Sequence, residues 1–258
     1  MMKNTMKAID LVRPIEEAAP LCGQEKWDNC GFSVGDPDAE VSRALIALDC
    51  TEDVVDEAIG LGANIIVTHH PLIFGGVKKI SPQNQLGRII CKAIKNNIAI
   101  YSAHTNMDKA AGGVSAIMAE KLQLQGCEPL SPDNFGLIGK LPESIGAEEF
   151  VGKVKKLFGA DVVRCSALLE EKISTVAVCG GSGKSFIPDA MGKGAQAYVT
   201  GDITYHEFYA EKGFMLVDIG HYFSEFGIVD VFANILSKNF PNFAVSISKK
   251  NNNPIYYY

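Results

Sequence analysis

The stretch RALIALDCTEDVVDEAIGLGANIIVTHHP, residues 43–71, sets the fold class. It opens on a short apolar run, RALIALD (43–49), and closes on another, ANIIVTHHP (63–71). Short, nearly continuous apolar runs suit strands buried on both faces. Between them, TEDVVDEAIGLG (51–62) starts on Thr51 with two acids behind it and stops at Gly62. The threonine can cap the first turn, the acids favour a helix N-terminus, and glycine accepts the left-handed backbone that ends a helix. Strand, helix and strand in one short stretch form a crossover unit, and such units build parallel sheets.

Working outward, the alternation continues. LGRIICKAIKNN (86–97) predicts a helix, IAIYSAH (98–104) a strand and GGVSAIMAEKLQL (112–124) a helix. Upstream, residues 5–21 have the spacing of an amphipathic helix, and WDNCGFSVGD (27–36) has turn chemistry. EPLSPDNFG (128–136), with two prolines, marks a domain boundary. Beyond it, helices are predicted at EEFVGKVKKLFG (148–159), SFIPDAMGKG (185–194) and SEFGIVDVFANILSKNF (224–240). Strands are predicted at KISTVAVCG (172–180), AQAYVTGD (195–202), FMLVDIGH (214–221) and AVSISK (244–249). The expected organisation is a first α/β domain over 1–130, completed by the C-terminal segment 226–258, and a second α/β domain over 131–225. An internal repeat supports their kinship. At an offset of 132, AIGLGANIIVTHH (58–70) lies over AMGKGAQAYVTGD (190–202), with Ala58, Gly60, Gly62, Ala63, Val67 and Thr68 matching Ala190, Gly192, Gly194, Ala195, Val199 and Thr200.

Composition bounds the function. Of 258 residues, 24 are basic and 30 acidic, a formal charge of −6 that disfavours nucleic acid as partner. No run reaches the roughly 18–20 apolar residues of a membrane span. The N-terminal stretch MMKNTMKAIDLVRPIEEAAP lacks the apolar core of a signal peptide, so a cytoplasmic protein is expected. The cysteines number seven, with no C-x-x-C, and most lie in apolar runs, as reduced and buried thiols would. VCGGSGKSF (178–186) fails as a P-loop, because the first glycine of G-x-x-x-x-G-K-[ST] would fall on Val178; it reads as a close strand-to-helix turn. Trp27 reads as an anchor beneath the neighbouring loop. Lys78, Lys79 and Arg88 are the nearest basic candidates for a phosphate contact, against a plain reading as solvated surface.

All five histidines, His69, His70, His104, His206 and His221, sit at or just after the carboxyl ends of predicted strands. That edge is where open α/β sheets bind ligands. His221 and Glu225 are four apart at a predicted helix start, so they share a face. Asp108 follows the strand ending near His104. Together, His69, His70, Asp108, His221 and Glu225 make an N/O donor set suited to two divalent transition metals, provided a carboxylate stands between the cations.

The blocks WDNCGFSVGD (27–36), ANIIVTHHPLIF (63–74), YSAHTNMD (101–108), VCGGSG (178–183), YVTGDITYHE (198–207) and DIGHYFSE (218–225) resemble, in order and spacing, the Nif-three-like dinuclear metal-centre proteins, also called GTP cyclohydrolase I type-two homologues. The likeness covers nearly the whole chain, in the compact form without an inserted domain. It implies two related three-layer α/β units facing each other around a dinuclear metal site, in a homo-oligomer that closes as a toroidal hexamer. It implies His70 and Asp108 on one metal, His69 and His221 on the other, and Glu225 as bridge. His104 and His206 match family histidines near the site and are the candidate proton shuttles. Cys30 stands where an aliphatic residue would be expected, a difference of packing only. The implied cofactors are two divalent ions from among Zn, Mn, Fe and Co. The implied activity is metal-dependent hydrolysis of a nucleotide or similar small molecule, with a non-enzymatic metal-binding hexameric scaffold as the alternative.

Overall fold

The expected crossover unit forms in a computed structural model that describes residues 5–258; the basic start MMKN lies outside the described residues. Strand Arg43–Ala47 leads into helix Glu52–Leu61 and strand Ile65–Thr68. Thr51 Oγ1 accepts the Val54 N–H at 3.3 Å, and Gly62, at φ 65°, closes the helix by donating back to the Ala58 and Ile59 carbonyls. These are the caps that the sequence spelled out.

Two compact units result. The first runs to Ala110 and resumes over Ile228–Asn252. Its sheet has the order Ala244–Ile247, Arg43–Ala47, Ile65–Thr68, Ala99–Ser102, Gly31–Val34. The first four strands are parallel and the last is antiparallel. Leu45, Ala47, Ile66 and Ile100 point to one face, against Val54, Val55 and Ala58 of helix Glu52–Leu61 and Ile89, Ile90 and Ala93 of helix Gln85–Lys95. The alternate residues Ala44, Ile46, Ile65, Val67 and Tyr101 are equally buried on the other face. Helix Ile228–Asn239 packs there on strand Arg43–Ala47, beside helix Ala8–Ala18, whose Glu16 accepts from the Tyr101 hydroxyl at 3.2 Å. Burial on both faces is why these strands read as unbroken apolar runs.

The second unit comprises Ala111–Gly227 and Asn253–Tyr258. Its sheet order is Gln125–Pro129, Leu137–Ile145, Ile173–Ser182, Ala197–Gly201, Met215–Asp218, Arg164–Cys165. The three strands from Ile173 to Asp218 are parallel; their neighbours on either side are antiparallel. Ala177, Cys179, Tyr198 and Leu216 pack with Ala190 of helix Ile187–Gly192. On the opposite face, helices Val114–Lys121 and His221–Glu225 lie against strand Ile173–Ser182. Each sheet therefore has three parallel strands in chain order, followed at one edge by an antiparallel strand that precedes them in sequence. The repeat at an offset of 132 is this shared topology: Thr68 and Thr200 stand near the carboxyl end of the middle strand of each parallel trio, paired with Ser102 and Asp218.

Several expectations need correction. WDNCGFSVGD contains strand Gly31–Val34, because its backbone completes the open edge beside Ala99–Ser102. The helix expected over 224–240 is two helices, His221–Glu225 and Ile228–Asn239, which belong to different units. Helix Val114–Lys121 and strand Gln125–Pro129 belong to the second unit, so the division falls after Ala110, ahead of the expected boundary at 130. Of the seven cysteines only Cys50 and Cys179 are buried, while Cys22, Cys127 and Cys165 are exposed. Trp27 is 60% exposed, more open than a buried anchor would be, with its ring edge-on to His104 at 6.1 Å. No helix among the described residues is long and apolar enough to cross a membrane.

Candidate metal centre

In the first unit, two neighbouring parallel strands stop and each delivers histidines. Strand Ile65–Thr68 runs into His69 and His70; strand Ala99–Ser102 runs into His104 and a single helical turn, Thr105–Asp108. Thr68 Oγ1 ties the ends together, lying 2.8 Å from the His70 carbonyl oxygen and 2.9 Å from Ser102 Oγ. Each of His69, His70 and His104 offers one ring nitrogen, all within 4.8 Å of one another.

Hydrogen bonding decides which nitrogen each ring presents. His69 Nδ1 donates to the Ala103 carbonyl at 2.9 Å, so Nε2 carries the lone pair. That lone pair lies 3.4 Å from Asp108 Oδ1, a buried atom that accepts no hydrogen bond among the described residues. Two electron-rich atoms so placed call for a proton or a cation near them. His70 Nδ1 is 2.8 Å from Asp49 Oδ1, and His104 Nδ1 is 3.0 Å from Asp28 Oδ1. Carboxylates and carbonyls that hold Nδ1 and leave Nε2 for the ligand are the usual outer partners of metal-binding histidines.

The Asp28 side chain is wholly buried. Besides His104, its carboxylate accepts from the Asn29 N–H at 2.8 Å, the Thr105 N–H at 3.1 Å and the Thr105 hydroxyl, and Cys30 Sγ lies 3.2 Å away. Burial works to raise its pKa, but the hydrogen bonds from His104 and Thr105 outweigh it and hold the carboxyl well below the usual range. Burial pushes the Cys30 thiol up to about 12. Cys30 is thus part of this polar network, more than the packing residue it was expected to be.

In the second unit, the ends of two parallel strands again converge. Ala197–Gly201 leads into Asp202, and Met215–Asp218 leads through Ile219 and Gly220 into helix His221–Glu225. His221 Nδ1 is 2.7 Å from Asp202 Oδ2, and its Nε2 is 3.0 Å from Oε2 of the buried Glu225. Burial alone would lower the pKa of His221, but the hydrogen bonds to Asp202 and Glu225 overcome it and raise the value to about 10. Asp202 is lowered in turn, chiefly by its bond to His221. Two carboxylates therefore close on one imidazolium, and a divalent cation can take the place of that ring's proton.

The glycine run 180–183 has its explanation here. Gly181 sits at φ 61°, and a Cβ there would fall 2.2 Å from Glu225 Oε1. Its N–H donates to Ser224 Oγ at 2.9 Å, and the Gly183 N–H to Thr200 Oγ1 at 3.1 Å. The turn is close because it makes room for Glu225, and these two amides are spent on side chains of the unit itself.

Of the expected site residues, the first unit gathers His69, His70, His104 and Asp108, and the second gathers His221 and Glu225. His206 lies exposed on the short turn Tyr205–Phe208, edge-on to Tyr205 at 5.3 Å. Lys78 and Lys79 are exposed, and Arg88 pairs with Glu52 at 2.8 Å. The orienting acids Asp28, Asp49 and Asp202 were missed. A signal was present, since Asp49 and Asp202 each follow the end of a parallel strand.

The Duf34/NIF3 (NGG1p interacting factor 3) family model matches residues 6–254. A GTP cyclohydrolase 1 type 2 homolog of Clostridium perfringens is 38% identical over 232 residues, 87% of this chain and 88% of the relative. One from Clostridium acetobutylicum is 35% identical, covering 97% of this chain and 98% of its own. Among solved structures, a Bacillus cereus protein related to NIF3 superposes with a TM-score of 0.91 at 27% identity, covering 98% of this chain and 99% of that one.

Proposed function

The chain belongs to the Duf34/NIF3 family, and on that premise we propose that His69, His70, Asp108, His221 and Glu225 hold two divalent metal ions in a hydrolase for a nucleotide-like substrate. In this reading His70 and Asp108 hold one ion, His69 and His221 the other, and Glu225 bridges them. The observation that carries it is the setting of the imidazoles: His69, His70 and His221 each have Nδ1 fixed by an oxygen, which commits Nε2 to the site. Mixed imidazole and carboxylate donors suit Zn, Mn, Fe or Co. When bound, such a metal pair activates water and stabilises negative charge on oxygen.

The chain's own contribution is proton transfer and orientation. His104, anchored through Nδ1 by Asp28, has Nε2 to take or give a proton. His206, the other expected shuttle, is exposed on a separate turn, so the role falls to His104. The nucleotide-like substrate is carried over from the names of the relatives. The reading extends to a toroidal hexamer of this 27.8 kDa chain in the cytoplasm, where thiols stay reduced.

Protein purified without chelator or histidine tag is expected to carry about two metal equivalents per chain, the number such a dinuclear site takes. Glu225→Ala is expected to lose at least one of them. Incubation with GTP, followed by loss of the purine absorbance, tests the hydrolase. No turnover by the metal-loaded wild type, or undiminished turnover by Glu225→Ala, would reject it. One observation favours a non-enzymatic metal-binding scaffold: His104 stands close enough to His69 and His70 to occupy a coordination position itself. If so, His104→Ala would weaken metal retention, whereas a proton shuttle would leave it intact.

A further inference from the structure

The second unit has a cleft of about 420 Å³ lined by Arg164, Cys165, Tyr205, Phe208 and Tyr209. Arg164–Cys165 is the edge strand paired with the end of Met215–Asp218, with Arg164 opposite Asp218. The aromatic residues belong to the turn that follows strand Ala197–Gly201. The cleft therefore opens at the carboxyl edge of the parallel strands, where such sheets bind ligands.

Its walls are large, aromatic and pre-set. Tyr205 and Tyr209 are 70% and 74% exposed, unusual for side chains of this size. They are held edge-on, centroids 5.7 Å apart, by a 2.9 Å hydrogen bond between their hydroxyls. The Arg164 guanidinium lies 5.4 Å over the Phe208 ring, fixed by the Ile203 carbonyl at 3.0 Å and by the Asp218 carboxylate. Asp218 offsets the arginine's charge, so the cleft presents flat π surfaces and a flat guanidinium in place of a net positive charge. Walls already ordered lose little entropy when a ring slides between them.

We propose that this cleft binds the flat heteroaromatic ring of a nucleobase by stacking on its tyrosines and Phe208 beside Arg164. An anion alone would find its arginine already paired. The volume falls within the range of small-molecule sites. The cleft shares structure with the second unit's half of the metal site. Asp202, three residues before Tyr205, orients His221, and Asp218 accepts the Gly220 N–H at 2.8 Å. The inference deepens the nucleotide-like substrate proposed above, but the binding step needs no metal.

Cys165 supplies the readout, because it is exposed and lines the cleft, whereas the exposed Cys22 and Cys127 do not line it. Full-length protein, stripped with chelator and separately metal-loaded, is alkylated in the presence of guanosine, adenosine or ribose 5-phosphate. Dissociation constants are measured by equilibrium dialysis. The nucleosides are expected to slow alkylation of Cys165 with or without metal, leaving Cys22 and Cys127 unchanged, and ribose 5-phosphate is expected to have no effect. Tyr205→Ala should weaken nucleoside binding roughly 5- to 150-fold, the loss of one base–aromatic stack, while Tyr205→Phe, which keeps the ring and loses only the hydroxyl bond to Tyr209, should weaken it less than Tyr205→Ala does. Equal protection by ribose 5-phosphate would make the cleft an anion site and overturn the proposal. So would protection that follows protein concentration and ignores nucleosides, which would make it an interface between copies. No protection at millimolar nucleoside would overturn it as well. Because the stripped protein is tested alone, a failed metal centre and a failed cleft give separate results.

Discussion

Replacing Asp28 by asparagine keeps the shape of the side chain and removes its charge. In the native chain Oδ1 receives His104 Nδ1 at 3.0 Å and the Asn29 N–H at 2.8 Å, while Oδ2 receives the Thr105 N–H at 3.1 Å and the Thr105 hydroxyl. Donors thus approach both oxygens. An amide has one oxygen, so in either orientation its NH₂ faces donors. The threonine hydroxyl can rotate and the imidazole can move its proton, but a backbone N–H can do neither. One backbone N–H loses its acceptor, either that of Thr105, which is part-buried, or that of the exposed Asn29, and charge-assisted bonds become neutral ones. With up to about 3 kcal/mol for the orphaned donor, least where it is the exposed Asn29 N–H, and about 1 kcal/mol for the weakened bonds, the cost is about 1–4 kcal/mol. At roughly 2–4 °C per kcal/mol for a domain of this size, the melting temperature should fall by about 2–16 °C.

Thermal unfolding of chelated protein, followed by circular dichroism, measures the loss. Nitrogen-15 shifts of the His104 ring, read in parallel, should show the Nδ1–H form in the wild type and its depletion in Asp28→Asn. The pH dependence follows from the sign of the shift. The carboxyl titrates lower in the folded chain than in the unfolded one, so its contribution is complete above the unfolded value, about 4, and is lost as pH falls through the folded value. The gap between wild type and variant should therefore be constant from neutral pH to about 5 and narrow in stronger acid. A variant that melts within about 1 °C of the wild type, a fraction of what a kcal/mol produces, with His104 still protonated at Nδ1, would refute the anchoring role.

Other expectations can be checked alongside. Gly181→Ala places a methyl 2.2 Å from Glu225 Oε1 at a left-handed position, so it should cost roughly 1–2 kcal/mol from the backbone alone and also reduce metal content by elemental analysis. Thr51→Ala removes the acceptor for the Val54 N–H and should destabilise by about 1 kcal/mol in urea unfolding, with no change in metal content. In thiol labelling of the ligand-free protein at pH 8, exposed Cys22 should react first. Burial raises the thiols of Cys127 and Cys165 and leaves less of the reactive thiolate, so they should follow more slowly and speed up with alkaline pH. Cys30, raised to about 12, should react last of these four.

The alternation of apolar runs with capped amphipathic stretches was sufficient to predict parallel α/β architecture, because a strand buried on both faces and a helix buried on one leave different periodicities in the chain. The echo at an offset of 132 was likewise legible, since both copies carry a threonine near the carboxyl end of a central strand, just ahead of His69–His70 in one and Gly201–Asp202 in the other. So were the candidate donors, since histidines gathered after strand ends have little structural reason to be there. What the linear order could not carry was pairing. Gly31–Val34 is a strand only because Ala99–Ser102 offers it an edge, and Gln125–Pro129 is wholly exposed and has no apolar pattern to read. The junction after Glu225, which divides one apparent helix between two units, depends on which core each half can bury. The anchors of the imidazoles are further still from local reach. Asp28 meets His104 across 76 residues, Asp49 meets His70 across 21 and Asp202 meets His221 across 19. A carboxylate's hydrogen bonds act over about 3 Å of space, so which acid fixes which ring was decided only when folding brought those strand ends side by side.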